Sequence, residues 1–142
     1  MSYEELAARL DAVMPEGLCI LSAAPAVCKA GMVDRAVYRV TLDCPVEAVE
    51  TLLAKPSVTA QKRTKKKELV TVELKPVLDA ANNTLIPLDD GVVWEMTLPC
   101  NSTQSVNPSL VIAALKTVDG AQNVTCAIRR LRVLTADGNE FA

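Results

Sequence analysis

Apolar and polar residues alternate in several stretches of the chain, and this period of two predicts half-buried β-strands. The pattern is clearest from Arg35 to Asp43 and from Val92 to Leu98. The other predicted strands are Leu18–Ala24, Ser57–Arg63, Glu68–Lys75, the short edge strand Leu85–Ile86 and Thr125–Leu134.

Three other segments have apolar residues at the spacing of an amphipathic helix. Ser2 and Glu5 form an S-x-x-E capping box before the first segment. Asn107-Pro108 supplies an N-cap and a first-turn proline before the third. The predicted helices are Leu6–Met14, Pro45–Ala54 and Leu110–Val118.

The order of these elements predicts the fold class. A strand-helix-strand order occurs twice, from Arg35 to Arg63 and from Val92 to Leu134, with further strands around each. Two such units interleaved through hairpins predict an α+β fold, a ferredoxin-like α/β sandwich whose mainly antiparallel sheet has helices on one face. With no linker or low-complexity segment, residues 1–142 are expected to form a single domain. The polar tail Thr135–Ala142 is expected to fray.

Composition narrows the classes of function. Half of the 142 residues are apolar and only four are aromatic, so Val, Leu, Ile and Ala must build the core. The net charge of −2 argues against attraction of nucleic acid or membrane to the whole surface. No apolar run approaches the ~18 residues of a membrane span, and no signal-peptide pattern is present. A cytoplasmic protein without membrane contact is expected.

The sequence predicts no catalytic residue, metal ligand or cofactor. The five cysteines are odd in number, widely spaced and without a CxxC pair, which favours free thiols in a reducing compartment. Cys44 precedes a helix start that could lower its pKa, but the chain has no histidine to act as a base. Asp89-Asp90-Gly91 is interpreted as a turn. The polar loop Asn101–Ser105 could hold an anion or be an ordinary connection, and the second interpretation is favoured.

Positive charge is concentrated in one predicted hairpin, Gln61–Pro76. Two interpretations stay open: cations that contact nucleic-acid phosphates, or a solvated tip that keeps an edge from pairing. A further cluster of three arginines on the last strand has side chains that point to alternating faces. At least one of these arginines is expected over the helices or beside a carboxylate. The candidate nucleic-acid contacts are Lys62, Arg63, Lys65, Lys66 and Lys67, and the cluster on the last strand is Arg129, Arg130 and Arg132.

Several segments, taken in order, resemble a known family. They are LDAVMPEGLCIL, DRAVYRVTLD, KRTKKKELVTVELKPVL, VNPSLVIAAL and IRRLRVL, within Leu6–Leu134. The chain resembles the bacterial radical-SAM-linked protein family, a domain of unknown function encoded beside or fused to radical-SAM proteins, often near ribonuclease E/G and ribosomal protein genes. Members usually begin with a basic, aromatic segment containing a Ser-His-Leu-Asp-like motif. This chain has no histidine, so it resembles the C-terminal portion of such a protein.

Three hypotheses follow, of which the first is preferred. The resemblance implies a non-catalytic accessory module that binds a radical-SAM protein. The alternative is an RNA-binding module in rRNA or tRNA maturation, which contacts phosphates through the hairpin residues 62–67. The third is a thiol enzyme acting through Cys44.

Overall fold

The computed structural model describes residues 1–141, which fall into two compact units, 1–29 and 30–141. In the N-terminal unit, helix α1 (Tyr3–Asp11) begins at the predicted capping box. The hydroxyl of Ser2 accepts a hydrogen bond from the Glu5 N–H at 3.1 Å, and the Glu5 carboxylate accepts one from the Ser2 N–H at 3.0 Å. The Asp11 carboxylate accepts a hydrogen bond from the Ile20 N–H at 2.7 Å, and this bond links the segment after the helix to the end of α1.

The prediction of a strand at Leu18–Ala24 is wrong, because this segment has no regular secondary structure. The side chains of Leu18 and Leu21 are exposed. An apolar run becomes a strand only when its backbone pairs with a neighbour, and among the described residues none pairs with it. Whether residues 1–142 form one domain stays a prediction.

The C-terminal unit opens with a short 3-10 turn, Ala30–Met32, and contains six strands and three helices. In chain order its elements are β1 (Val33–Leu42), α2 (Val46–Ala54), β2 (Thr59–Arg63), β3 (Leu69–Glu73), α3 (Lys75–Asp79), β4 (Thr84–Leu88), β5 (Gly91–Pro99), α4 (Pro108–Leu115) and β6 (Cys126–Thr135).

Four of the strands form an antiparallel sheet in the order β4-β5-β1-β6, which confirms the mixed α+β class and the mainly antiparallel sheet. Strands β2 and β3 pair only with each other. Without them, the sheet strands and the long helices follow the order β-α-β-β-α-β, which is compatible with a ferredoxin-like arrangement.

The predicted strand-helix-strand unit from Arg35 to Arg63 is therefore wrong in its second strand, because β4 takes that place in the sheet. The cause lies in the side chains. Strand β2 buries only Ala60 and exposes two cations near its end, whereas β4 turns Leu85 toward Trp94 of β5. Each strand contacts the core with one side chain, but Leu85 of β4 is large and packs half-buried against the core, whereas Ala60 of β2 is small.

The core lies against one face of the four-stranded sheet. Every second residue of β5 is fully buried, and the paired residues of β1 lie beside them, as Val40 does opposite Trp94. Helices α2 and α4 pack side chains such as Leu52 and Leu115 into the same cluster. The indole N–H of Trp94 donates to the side-chain oxygen of Asn83 at 2.9 Å, so the buried ring leaves no unpaired donor.

Two further expectations are corrected. Lys75, predicted as the end of the strand Glu68–Lys75, instead begins the short helix α3, which has Pro76 in its first turn. The tail is also ordered through Phe141, the last described residue, because the Phe141 N–H donates to the carbonyl of Val133 at 2.7 Å. The remainder of the predicted fraying, at Ala142, lies outside the described residues.

Candidate nucleic-acid interface

Residues 59–73, here called the basic arm, form a two-stranded antiparallel hairpin as predicted. The last pair of its register is Arg63 with Leu69. The turn is closed by the Thr64 N–H, which donates to the Glu68 carbonyl at 2.8 Å. Lys67 takes up the left-handed conformation (φ 63°), which lets the backbone reverse without a glycine. The hairpin thereby places its basic residues around one tip.

All five predicted contact residues of the arm are exposed, and none forms an ion pair with another of the residues 1–141. Lys62 lies on the same face as Val70, and Arg63 lies on the opposite face with Leu69. Lys65, Lys66 and Lys67 occupy the turn. The charge therefore points in several directions around an exposed tip, where phosphates could be contacted from more than one side.

The base of the arm is held by one carboxylate. Glu73 accepts hydrogen bonds from the Val58 N–H at 3.0 Å, from the Ser57 hydroxyl at 2.8 Å and from the Lys75 N–H at 3.1 Å. These bonds, with the Val58 N–H the largest cause, lower the pKa of Glu73. Since an isolated hairpin is marginally stable, this anchor and the burial of Ala60 keep the arm in place. Neither was identified from the sequence, because Glu73 and its partners Ser57 and Val58 lie about fifteen residues apart along the chain.

The arm offers no aromatic side chain on which a base could stack. It does expose apolar side chains, with Leu69 63% accessible and Val70 46% accessible. Contact with a nucleic acid would therefore depend on charge, supplemented by packing of these apolar side chains against sugars.

The three arginines of β6 are divided between its faces by a bulge. Tyr38 of β1 pairs with Arg130, whereas the preceding residue, Val37, pairs with Arg132, so one extra residue lies between them on β6. Arg129 and Arg132 consequently share the face away from the core. Arg130 lies on the core side beside Tyr38. The pKa of Tyr38 is raised, first by burial and then by Cys100, and the charge of Arg130 offsets part of that rise. This confirms that the three cannot form one patch.

Cys44 is buried, and burial raises the pKa of its thiol. The predicted lowering by the following helix start is therefore not found. Among residues 1–141, no group of three or more His, Cys, Asp or Glu side chains is arranged to hold a metal ion. No helix in that range is long and apolar enough to cross a membrane.

The loop Asn101–Ser105 borders a cleft of about 460 Å³. The side-chain oxygen of Asn101 accepts hydrogen bonds from the N–H groups of Thr103 and Gln104, and its amide donates to the Asp34 carboxylate at 3.1 Å. Asp34 and Asp137 both line the cleft. Because the Asn101 amide and the N–H groups of Thr103 and Gln104 are engaged within the protein, and two carboxylates line the cleft, the structure favours an ordinary connection over an anion site.

Residues 1–108 match a family described as an uncharacterized protein conserved in bacteria, DUF2344. No curated protein and no solved structure shows significant similarity to the chain. Since the match covers most of its length, the chain belongs to this uncharacterised bacterial family.

Proposed function

We propose that the protein is a non-catalytic interaction module that binds a partner enzyme, which the resemblance implies to be a radical-SAM protein. One observation carries the proposal: the N-terminal unit keeps most of its large apolar side chains in solvent. Helix α1 buries none of its residues. Among the most exposed are Val13, at 74%, and Leu21, at 92%. The large apolar side chains exposed in this unit are Met1, Tyr3, Leu10, Val13, Leu18, Leu21 and Val27.

So many exposed apolar side chains within 29 residues would be unfavourable unless a partner covers them. Exposed apolar patches of this kind mark protein interaction sites in soluble proteins. The capping box and the Asp11–Ile20 hydrogen bond already give the segment local order, which reduces the entropy lost on binding.

Binding of the purified protein to the cognate radical-SAM protein, measured by calorimetry, tests the proposal. We expect Leu18→Ser and Leu21→Ser to weaken binding by about tenfold or more, as substitution of an interface hot spot does. Ile86→Ser, a change of an exposed side chain in the other unit, is the control and should leave affinity unchanged. The proposal is abandoned if the wild-type protein does not bind, or if the three variants bind equally well.

A second candidate function is RNA binding, and it is favoured by the five exposed cations of the basic arm, which form no ion pair with another residue of the described range 1–141. The gene setting of the resembled family, near ribonuclease and ribosomal protein genes, supports RNA as the polyanion. The contact would be independent of sequence, since the arm has cations for phosphates and no stacking platform.

The salt dependence of binding to a single-stranded RNA oligonucleotide tests this candidate. If all five cations touch phosphates, the slope of log K against log salt is about −3.5. Lys65→Ala with Lys66→Ala should make the slope less steep by about 1.4, because two phosphate contacts are lost. The matched control removes two exposed cations elsewhere, Arg9→Ala with Lys116→Ala, and should keep the slope. An unchanged slope in the arm variant would exclude the arm as the RNA site.

A further inference from the structure

Strand β6 forms an edge of the four-stranded sheet and pairs on one side only, with β1. Five consecutive residues at its start, 126–130, are exposed on both faces of the sheet. The outward backbone N–H and C=O groups of such an edge are available to another strand.

The chain itself shows that the outer side of β6 accepts a strand. After the turn that follows β6, Glu140 forms an antiparallel bridge with Leu134, and the Phe141 N–H donates to the Val133 carbonyl at 2.7 Å. This returning segment covers the C-terminal end of the edge. Among the described residues nothing pairs with the outer side of residues 126–132, so a further strand could continue in line with it.

The charge of this free edge restricts what can bind there. Arg129 and Arg132 project from one face and Arg130 from the other, and none forms an ion pair with another described residue. Antiparallel pairing of two copies through β6 would bring arginines opposite arginines, and like charges directly opposite one another are destabilising. A second copy is therefore a poor occupant, and an acidic strand a good one.

The edge also offers an apolar contact. Ile128 is 42% exposed on the face that carries Arg130. Ala127, on the opposite face, leaves space beside Arg129. A strand added here would meet a cation and an apolar or small side chain on each face.

We propose that residues 126–132 of β6 bind an extended, acidic segment of a partner protein by adding it to the sheet as a fifth strand. Main-chain hydrogen bonds would supply affinity, and the three arginines would select glutamate or aspartate side chains. The surface differs from the exposed apolar side chains of the N-terminal unit and from the basic arm. The alternative role of the arginines is only to keep the edge from pairing with other chains.

The test uses a heptapeptide that alternates glutamate and valine, with capped ends, and measures both affinity and amide hydrogen exchange. We expect saturable binding and slower exchange of amides within residues 126–132. Replacing Arg129 or Arg132 by Ala should weaken binding by about two- to fivefold each, the range for exposed ion pairs. Lys116→Ala is the control for charge and should have no effect.

Two further peptides separate strand addition from simple attraction of charge. The same peptide with alternate backbone nitrogens methylated keeps its charge but cannot complete the hydrogen-bonded ladder, and we expect it not to bind. Equal binding of the methylated peptide, or no binding of the parent peptide, overturns the proposal. A lysine-valine peptide that binds as well as the parent also overturns it. The Leu21→Ser variant should bind the parent peptide normally, so failure here is distinct from failure of the proposed partner interaction.

Discussion

Gly91 lies at a point of close approach between two strands, and its substitution by alanine tests the core directly. It begins β5 opposite Leu88 of β4. A Cβ added at Gly91 would lie 2.0 Å from the carbonyl oxygen of Leu42, 3.1 Å from its carbonyl carbon and 3.3 Å from the Cα of Asp43. Ordinary contacts of this kind begin at 3.4 Å, so β1 and β5 would have to separate by about 1.4 Å there.

All three of these atoms belong to the backbone, so no side chain can rotate to relieve the clash. The strands that must separate carry Val92 and Trp94, which are fully buried beside Leu42. Overpacking in a core commonly costs about 1–3 kcal/mol. Because backbone must move and buried contacts must open, we expect Gly91→Ala to lower the free energy of unfolding by about 3 kcal/mol.

Urea unfolding followed by tryptophan fluorescence measures this cost, since Trp94 is the sole tryptophan and is fully buried. Gly31→Ala is the matched control, because a Cβ at Gly31 would have no atom within 4 Å. The control should stay within about 0.5 kcal/mol of the wild type. If Gly91→Ala also stayed within that range, with an unchanged dependence on urea, the close approach of β1 and β5 would be refuted.

Three other predictions concern single side chains. Asp43 accepts hydrogen bonds from the hydroxyl and the N–H of Thr125, and these bonds lower the pKa of the Asp43 carboxyl. The contribution of Asp43 to stability is therefore present at neutral pH and is lost as the pH falls through the folded-state pKa. Asp43→Asn should flatten the acid limb of stability against pH in urea titrations. Cys44 should react with a thiol reagent only after unfolding, whereas the exposed Cys126 should react in the native protein, as mass spectrometry after timed labelling would show. Asn107→Ala should lower the free energy of unfolding by about 1 kcal/mol, because the Asn107 side chain caps α4 by accepting from the Ser109 N–H.

Much of the C-terminal unit could be predicted because its local signals agree with its packing. The alternation from Val92 to Leu98 gives four buried residues on one face of β5, as a half-buried strand requires. The cap at Asn107 and the turn before β5 lie where their residue types indicated. The hairpin of the basic arm was likewise evident from two strand-like runs joined by a polar turn. In each case the feature depends on neighbours along the chain.

The failures depend on contacts between distant parts of the chain. Leu18–Ala24 is as apolar as a strand, but periodicity does not reveal whether a pairing partner exists. The prediction put β2 in the main sheet because alternation along the chain does not show which strands pair with one another. The bulge that places Arg129 and Arg132 on one face likewise arises from the register with β1. The candidate contact residues of the arm were named from the sequence and their role stays a prediction, whereas the anchor at Glu73 required the tertiary structure.

The net charge of −2 does not argue against a polyanion at the arm, because the relevant quantity is the local potential. At physiological ionic strength the screening length is about 8 Å. A five-residue strand rises about 17 Å, so the tip of the arm lies roughly two screening lengths from the base of the hairpin. Acidic groups at the base of the hairpin, such as Glu73, are largely screened at that distance, and an RNA strand at the tip would meet the five cations with Glu68 as the one carboxylate among them.

The edge of β6 differs from the arm because its arginines lie beside other charged groups of the sheet. It is part of the sheet, where Arg129 lies across from Arg39, and Arg39 is itself 3.4 Å from the carboxylate of Glu95. A partner strand there would gain main-chain hydrogen bonds, which salt screens little, together with a modest contribution from charge. Binding at the arm should therefore fall steeply as salt is raised, while strand addition at β6 should fall only gently. The two surfaces can thus be distinguished by one salt titration with an RNA oligonucleotide and an acidic peptide.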